Sequence, residues 1–133
     1  KGKNTFIFID EIYLLFQHEY SANFLFTLWK RVRKYGAYAT GITQNVDDLL
    51  QSHTARTMLA NSEFIIMLNQ APTDRIELAK LLNISDNQLS YITNVGAGHG
   101  LIKVGSSLIP FANKFPKNTK LYKLMTTKPG EGV

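Results

Sequence analysis

The run Thr5-Phe6-Ile7-Phe8-Ile9, followed at once by Asp10 and Glu11, constrains the fold most. It does not alternate apolar with polar residues, which is the pattern of a strand covered on both faces. Such a strand sits in a parallel sheet with helices on either side. The segments that follow agree. Ile12–Phe16 reads as the start of a helix, and Ser21 as the cap of a second, with Phe24, Leu28, Val32 and Tyr35 on one face. Lys30, Arg31, Arg33 and Lys34 gather where a helix C-terminus favours cations, and Gly36 fits the position just beyond. Ala37–Thr43 and Glu63–Leu68 read as further strands, separated by a helix that Ser52 caps and that runs to about Ala60. After Pro72, Thr73 is positioned to cap a helix to about Leu82. Ser85-Asp86-Asn87-Gln88 is a capping box, with Ile84 and Leu89 as its hydrophobic staple. Gly96–Gly100 leads into a hairpin of Leu101–Val104 and Leu108–Phe111 turning at Gly105-Ser106, its second arm marked as an edge strand by Pro110. Asn118–Met125 fits one short helix. The alternation of strand and helix predicts a three-layer α/β domain with parallel strands and a C-terminal β-hairpin appended.

Four apolar residues closing on Asp-Glu form the Walker B pattern of P-loop ATPases. The order has a chemical reason. A buried strand fixes Asp10 at its C-terminal end, where a carboxylate can hold magnesium through water. Glu11, one residue on, leaves the strand axis and is free to polarise an attacking water as a general base. The next strand ends in Thr40-Gly41-Ile42-Thr43-Gln44, which puts an amide at the same sheet edge. A glutamine there can donate to a γ-phosphate and accept from the lytic water. The pair, one crossover apart, points to a nucleotide site for ATP and Mg2+. Gly96, Gly98 and Gly100 have the look of a phosphate loop. No Lys-Ser or Lys-Thr follows them and a strand comes next, so the approach to a hairpin is the simpler reading. His18, His53 and His99 lack metal-ligand spacing, and Trp29 reads as core.

Composition narrows the setting. The chain has 133 residues, 44% hydrophobic and 19% charged, enough for one domain with its own core. No apolar stretch approaches the roughly 18 residues of a membrane span, and there is no signal-peptide pattern. The absence of cysteine fits a cytosolic protein and excludes disulfide or thiolate-metal scaffolds. The net charge of +5 is uneven: Lys114, Lys117, Lys120, Lys123 and Lys128 follow one another with no acid between them. Such a run is either a solvated face or a contact for nucleic acid or an anionic membrane.

The stretch from Arg33 through Gln44-Asn45-Val46-Asp47-Asp48-Leu49-Leu50 resembles the type IV secretion and conjugation ATPases, in the branch shared with the HerA and FtsK motors. Gln70-Ala71-Pro72-Thr73-Asp74-Arg75 and Phe115-Pro116-Lys117-Asn118-Thr119 are similar to the TraE-like conjugation ATPases of Gram-positive mobile elements. The resemblance implies a RecA-like hexameric motor at the inner face of the bacterial cell membrane, working with other type IV secretion components. It further implies that Arg33 reaches a neighbouring subunit's nucleotide, with Arg31 and Arg75 as rival fingers, and that Gly98 lies near the nucleotide base. A guanidinium fork suits a phosphoryl transition state better than a lysine does. The chain departs from the family in one large respect: it has no Gly-x-x-x-x-Gly-Lys-Ser/Thr. Residues 1–133 therefore read as the C-terminal portion of a RecA-like ATPase domain from Walker B onward, inactive alone. In RecA-like sheets the strand leading to the missing loop would lie between Ala37–Thr43 and Glu63–Leu68. Two other functions stay open: a DNA-pumping coupling protein, with DNA on the basic surface, and a non-catalytic docking module.

Overall fold

The computed structural model describes residues 2–132. Strand β1 (Thr5–Ile9) leads through a 3-10 turn at Ile12–Phe16 into α1 (Glu19–Arg31). A second 3-10 turn, Val32–Tyr35, follows, and then β2 (Ala37–Gly41). Helices α2 (Val46–Gln51) and α3 (His53–Ala60) precede β3 (Phe64–Met67). The chain continues through α4 (Pro72–Leu82), α5 (Asp86–Leu89), β4 (His99–Val104), β5 (Ser107–Ala112) and α6 (Lys120–Met125).

The strands form two separate sheets. β1 and β2 pair in parallel with Thr5 opposite Ala37, while β3, β4 and β5 form an antiparallel sheet in that order. β2 and β3 do not pair, so the sheet is interrupted where a RecA-like order calls for another strand. β5 lies at the sheet edge, where Pro110 costs no ladder bond. Gly105, at φ +56°, makes the hairpin turn as its sequence suggests.

The core lies on one side of both sheets. Ile65, Met67 and Leu101 pack against Leu78, Leu82, Ile84 and Ile92, and complete burial of side chains such as Ile92 and Leu101 is worth about 1.5–3 kcal/mol each. A second cluster under β1 and β2 joins Ile12, Phe16, Ala22 and Leu25 to Leu49, Ala55 and Met58. Helix α2 serves both, sending Val46 and Leu50 to the first cluster and Leu49 to the second.

The opposite side is open, which corrects the expectation of a strand buried on both faces. Phe6 is 63% and Phe8 68% exposed; Phe6 stacks on Tyr38 at 5.2 Å, and Phe64 and Ile66 are exposed on β3. The apolar run is there, but its second layer is not among the described residues.

Local details also shift. α1 begins at Glu19 after His18, and Ser21 lies within it, its hydroxyl donating back to the carbonyls of Leu15 and His18. Ala22 and Leu25 are the buried positions of α1, whereas Phe24 and Tyr35 are exposed, so the buried stripe is rotated from the expected one. α4 starts with Pro72 at its first position, needing no N–H there, and Ala71 rather than Thr73 precedes it. Helix α2 was not anticipated; its signal was Asn45, whose side chain accepts from the Asp48 N–H, with Asp47 and Asp48 in the first turn. The Ser52 cap, the Ser85 capping box and the Gly36 terminus form as the residues predict.

Gly100 tests the β3–β4 contact. A Cβ there would run into the Met67 carbonyl oxygen and the Phe111 ring, whereas at Gly96 it would meet only His99 at 3.6 Å. Gly100→Ala is expected to lower stability by about 1–3 kcal/mol in urea unfolding, and Gly96→Ala to change it by no more than about 0.5 kcal/mol.

Candidate functional site

The β1–β2 ladder continues past the strand ends. The Ile42 N–H donates to the Ile9 carbonyl at 2.8 Å, and the Ile12 N–H donates to the Ile42 carbonyl at 3.0 Å. Asp10 and Glu11 are thereby held between two anchors, and the chain must bulge over two residues to reach the second. Glu11 makes the bulge in the left-handed region, at φ +48° and ψ +42°. Left-handed backbone costs a non-glycine residue roughly 1–2 kcal/mol, and strain of this kind collects at functional sites. The Asp10 carboxylate accepts from the Glu11 N–H at 2.9 Å, which fixes the turn and leaves its other oxygen open to solvent.

Gly41 allows the bulge to pack. A Cβ there would stand 2.6 Å from Ile12 Cδ1 and 3.3 Å from its Cγ2, so a side chain at this position would require Ile12 to shift. The Thr43 hydroxyl is bonded within the turn to the backbone of Asn45. Gln44, between them, is exposed. Asp10, Glu11 and Gln44 thus share the C-terminal edge of the parallel pair, as the sequence predicted.

Gln44 also lines a cleft of about 340 Å3 between the ends of β2 and β3, with Thr43, Leu68, Asn69, Gln70 and Asp74. Sequence reasoning did not single out Asn69 or Asp74 as site residues. Asn69 Oδ1 accepts from the Val95 N–H at 3.1 Å, tying the end of β3 to the approach to β4. Burial, with the Asp47 charge adding to it, pushes the Asp74 carboxyl above its ordinary value. A polar residue straight after an apolar strand was the available signal for Asn69. Nothing in the linear order brings Asp74 beside Gln44.

Gly98 lies at the same end of β3, its carbonyl accepting from the Asn113 N–H at 2.8 Å. It adopts φ +79°, and a Cβ would collide with the Asn113 carbonyl oxygen, so hairpin packing alone accounts for glycine there.

The arginines separate. Arg33 stands exposed in the 3-10 turn before β2, at the strand's N-terminal end, so the length of β2 lies between it and Gln44. Five strand residues span about 16 Å. Arg31 ends α1 on the same side. Arg75 lies in the first turn of α4, next to Asp74. Trp29 packs against the second core cluster, its indole N–H donating to Ser62 Oγ at 3.4 Å. Among the described residues no three His, Asp or Glu side chains gather as a metal cage. Magnesium at Asp10 would therefore need phosphate and water oxygens to complete its shell, and the open carboxylate beside a polar cleft fits that arrangement.

A model of the TraG P-loop domain matches residues 1–103. The chain belongs to this family, and with it to the P-loop ATPases of type IV secretion and conjugative transfer. Its structure is similar to that of VirB4 of Thermoanaerobacter pseudethanolicus, with 27% identity and a TM-score of 0.79 over 86% of the chain. It covers 32% of that VirB4 chain. No curated protein matches it. No described helix is long and apolar enough to cross a membrane.

The strained turn has a thermodynamic signature. Glu11→Gly removes the left-handed penalty of about 1–2 kcal/mol while freeing the unfolded chain by about 0.4–1 kcal/mol, so the variant should unfold at the parental temperature or slightly higher. A clear fall in the unfolding temperature would show that the Glu11 side chain stabilises the fold.

Proposed function

We propose that the chain is the C-terminal portion of a RecA-like ATPase domain in a longer motor subunit that drives type IV secretion or conjugative transfer. The observation that carries this reading is the pinned turn at Glu11, with Asp10, Glu11 and Gln44 on one sheet edge beside the cleft. The unpaired facing edges of β2 and β3 and the bare outer faces of both sheets support a P-loop strand and a helical layer supplied from elsewhere in that subunit. Coverage of only 32% of the VirB4 chain agrees with that.

A magnesium nucleotide, when bound, brings the phosphoryl group and the cation that neutralises developing charge. Asp10 is the residue to hold the cation's water. Glu11 is the residue to take the proton from the attacking water, and its position off the strand axis keeps it apart from the Asp10 contact. Gln44 orients that water through its amide. Gly98 is placed by this reading near the nucleotide base. Alone, the chain has no P-loop lysine and should not turn over ATP.

Arg33 is the candidate finger toward a neighbouring subunit in a ring, six-membered in this reading as in HerA- and FtsK-type motors. Its place at the far strand end from Glu11 supports action across a subunit boundary. Arg31 and Arg75 are the alternatives, and Arg75, one residue along the chain from Asp74 of the cleft, is the one suited to act within its own subunit.

In the full-length protein, Glu11→Gln should bind nucleotide and lose hydrolysis, while Asp10→Ala should weaken magnesium-dependent binding as well. Parental turnover by Glu11→Gln would remove Glu11 as the base. Arg33→Ala should bind ATP yet lose roughly 10³-fold or more in turnover once assembled. Mixing it with Glu11→Gln subunits should restore part of the activity, because some interfaces then join an intact base to an intact finger. If mixed rings form and nothing returns, Arg33 does not act in trans, and Arg75→Ala is the next variant to assay.

A further inference from the structure

The C-terminal segment lies beyond the residues that match the family, and nothing in the nucleotide site uses it. Helix α6 has only six residues, too few to persist in water unaided. Local contacts hold it. The Thr119 hydroxyl accepts from the Tyr122 N–H at 3.2 Å, and Phe115 stacks on Tyr122 with ring centres 6.3 Å apart. Glu131 accepts from the Tyr122 hydroxyl and pairs with Lys117 at 3.2 Å. The pairing and hydrogen bonds hold the Glu131 carboxyl below, and the Lys117 ammonium above, their usual ranges. Tyr122 is therefore the inward side of α6, clasped by its own flanks.

The outward side is apolar. Leu121 is 56%, Leu124 62% and Met125 73% exposed, and at helical spacing they form one stripe. Lys120 and Lys123 lie on α6 itself, to one side of the stripe, with Lys114 before the helix and Lys128 after it, none within 4 Å of a carboxylate among the described residues. The one acid of the segment, Glu131, is already engaged by Lys117 and Tyr122. The result is an exposed apolar stripe flanked by cations without an ion-pair partner.

We infer that α6 with its flanking lysines is an interfacial contact for an anionic lipid surface, seating Leu121, Leu124 and Met125 among the headgroups. The charge complementarity is direct. The basic flank attracts anionic headgroups while the small apolar stripe enters the headgroup–acyl boundary, the combination by which amphipathic helices bind anionic bilayers. The apolar residues of the stripe have no use against duplex phosphates. The inference does not depend on the ATPase reading, since no residue of the nucleotide site takes part.

The test uses the full-length protein sedimented with vesicles of phosphatidylglycerol and phosphatidylcholine, and with phosphatidylcholine alone. Binding is expected only to the anionic vesicles, falling with salt. It should weaken at least about tenfold in Lys120→Glu/Lys123→Glu and also in Leu121→Ser/Leu124→Ser, with nucleotide binding unchanged. Lys120→Gln/Lys123→Gln, a milder change, should fall between, which guards against misfolding of the charge-reversed variant. Equal binding by all forms, equal binding to neutral vesicles, or no binding by the parent overturns the inference. It is equally overturned if the lysine variant loses duplex DNA while neither form binds vesicles, which assigns the patch to nucleic acid. A leucine variant that falls apart as an oligomer yet keeps its vesicle binding overturns it too, assigning the stripe to a subunit contact.

Discussion

The pair of hydrogen bonds that Ile42 makes, one to Ile9 and one from Ile12, is the constraint on which the site depends. Between those two residues the chain has a single place to put its extra length, and Glu11 takes it in a left-handed turn. If either bond were lost, the strain at Glu11 would have nothing to oppose its relaxation and the carboxylate would swing freely. Gly41 assists, since the absence of a side chain there leaves room for the Ile12 side chain beneath the strand end. The apolar strand therefore does more than supply a core residue or two. It provides the rigid post against which a strained turn can be held.

Helix α2 connects that post to the rest of the molecule. Its residues alternate between the two hydrophobic clusters, so the half-sheets are joined through their shared helical layer while their strand edges remain apart. Burial beneath the strands thus does not depend on a ladder between β2 and β3. The cost appears as unpaired backbone groups at β2 and β3 and as exposed Phe6, Phe8, Phe64 and Ile66, a surface that invites another chain segment.

Much of this was legible in the residues. The strand at Thr5–Ile9, though open on one face, the Ser85 box and the turn at Gly105 are local signals, each acting through its own backbone neighbours, and each forms in place. The Asp10, Glu11 and Gln44 alignment was legible too, since parallel strands one crossover apart put their C-terminal ends on the same edge. What failed was of another kind. The rotated stripe of α1 is set by where the 3-10 turn at Ile12–Phe16 delivers the helix, a tertiary matter that periodicity alone does not carry. Helix α2 escapes periodicity because it is short and follows a polar turn, although Asn45 announces it. Asp74 joins the cleft only because α4 starts at the end of β3, and the cleft exists only because β2 and β3 do not meet.

The distribution of charge along β2 gives the last step. Carboxylates stand at its C-terminal end and Arg33 at its N-terminal end, with a five-residue strand between them. Within one chain that separation makes a direct contact between Arg33 and Glu11 impossible while β2 stays intact, since a strand is too stiff to fold back on itself. If both act on one phosphoryl group, they must come from different subunits, related by a rotation that brings one strand end toward the other's opposite end. Such a heterologous contact closes into a ring when the rotation allows. Were Arg33 the finger of the proposed motor, that separation would be the geometric condition for its reaching a neighbour's site. Arg75, by contrast, stands in the first turn of α4, one residue along the chain from Asp74 of the cleft.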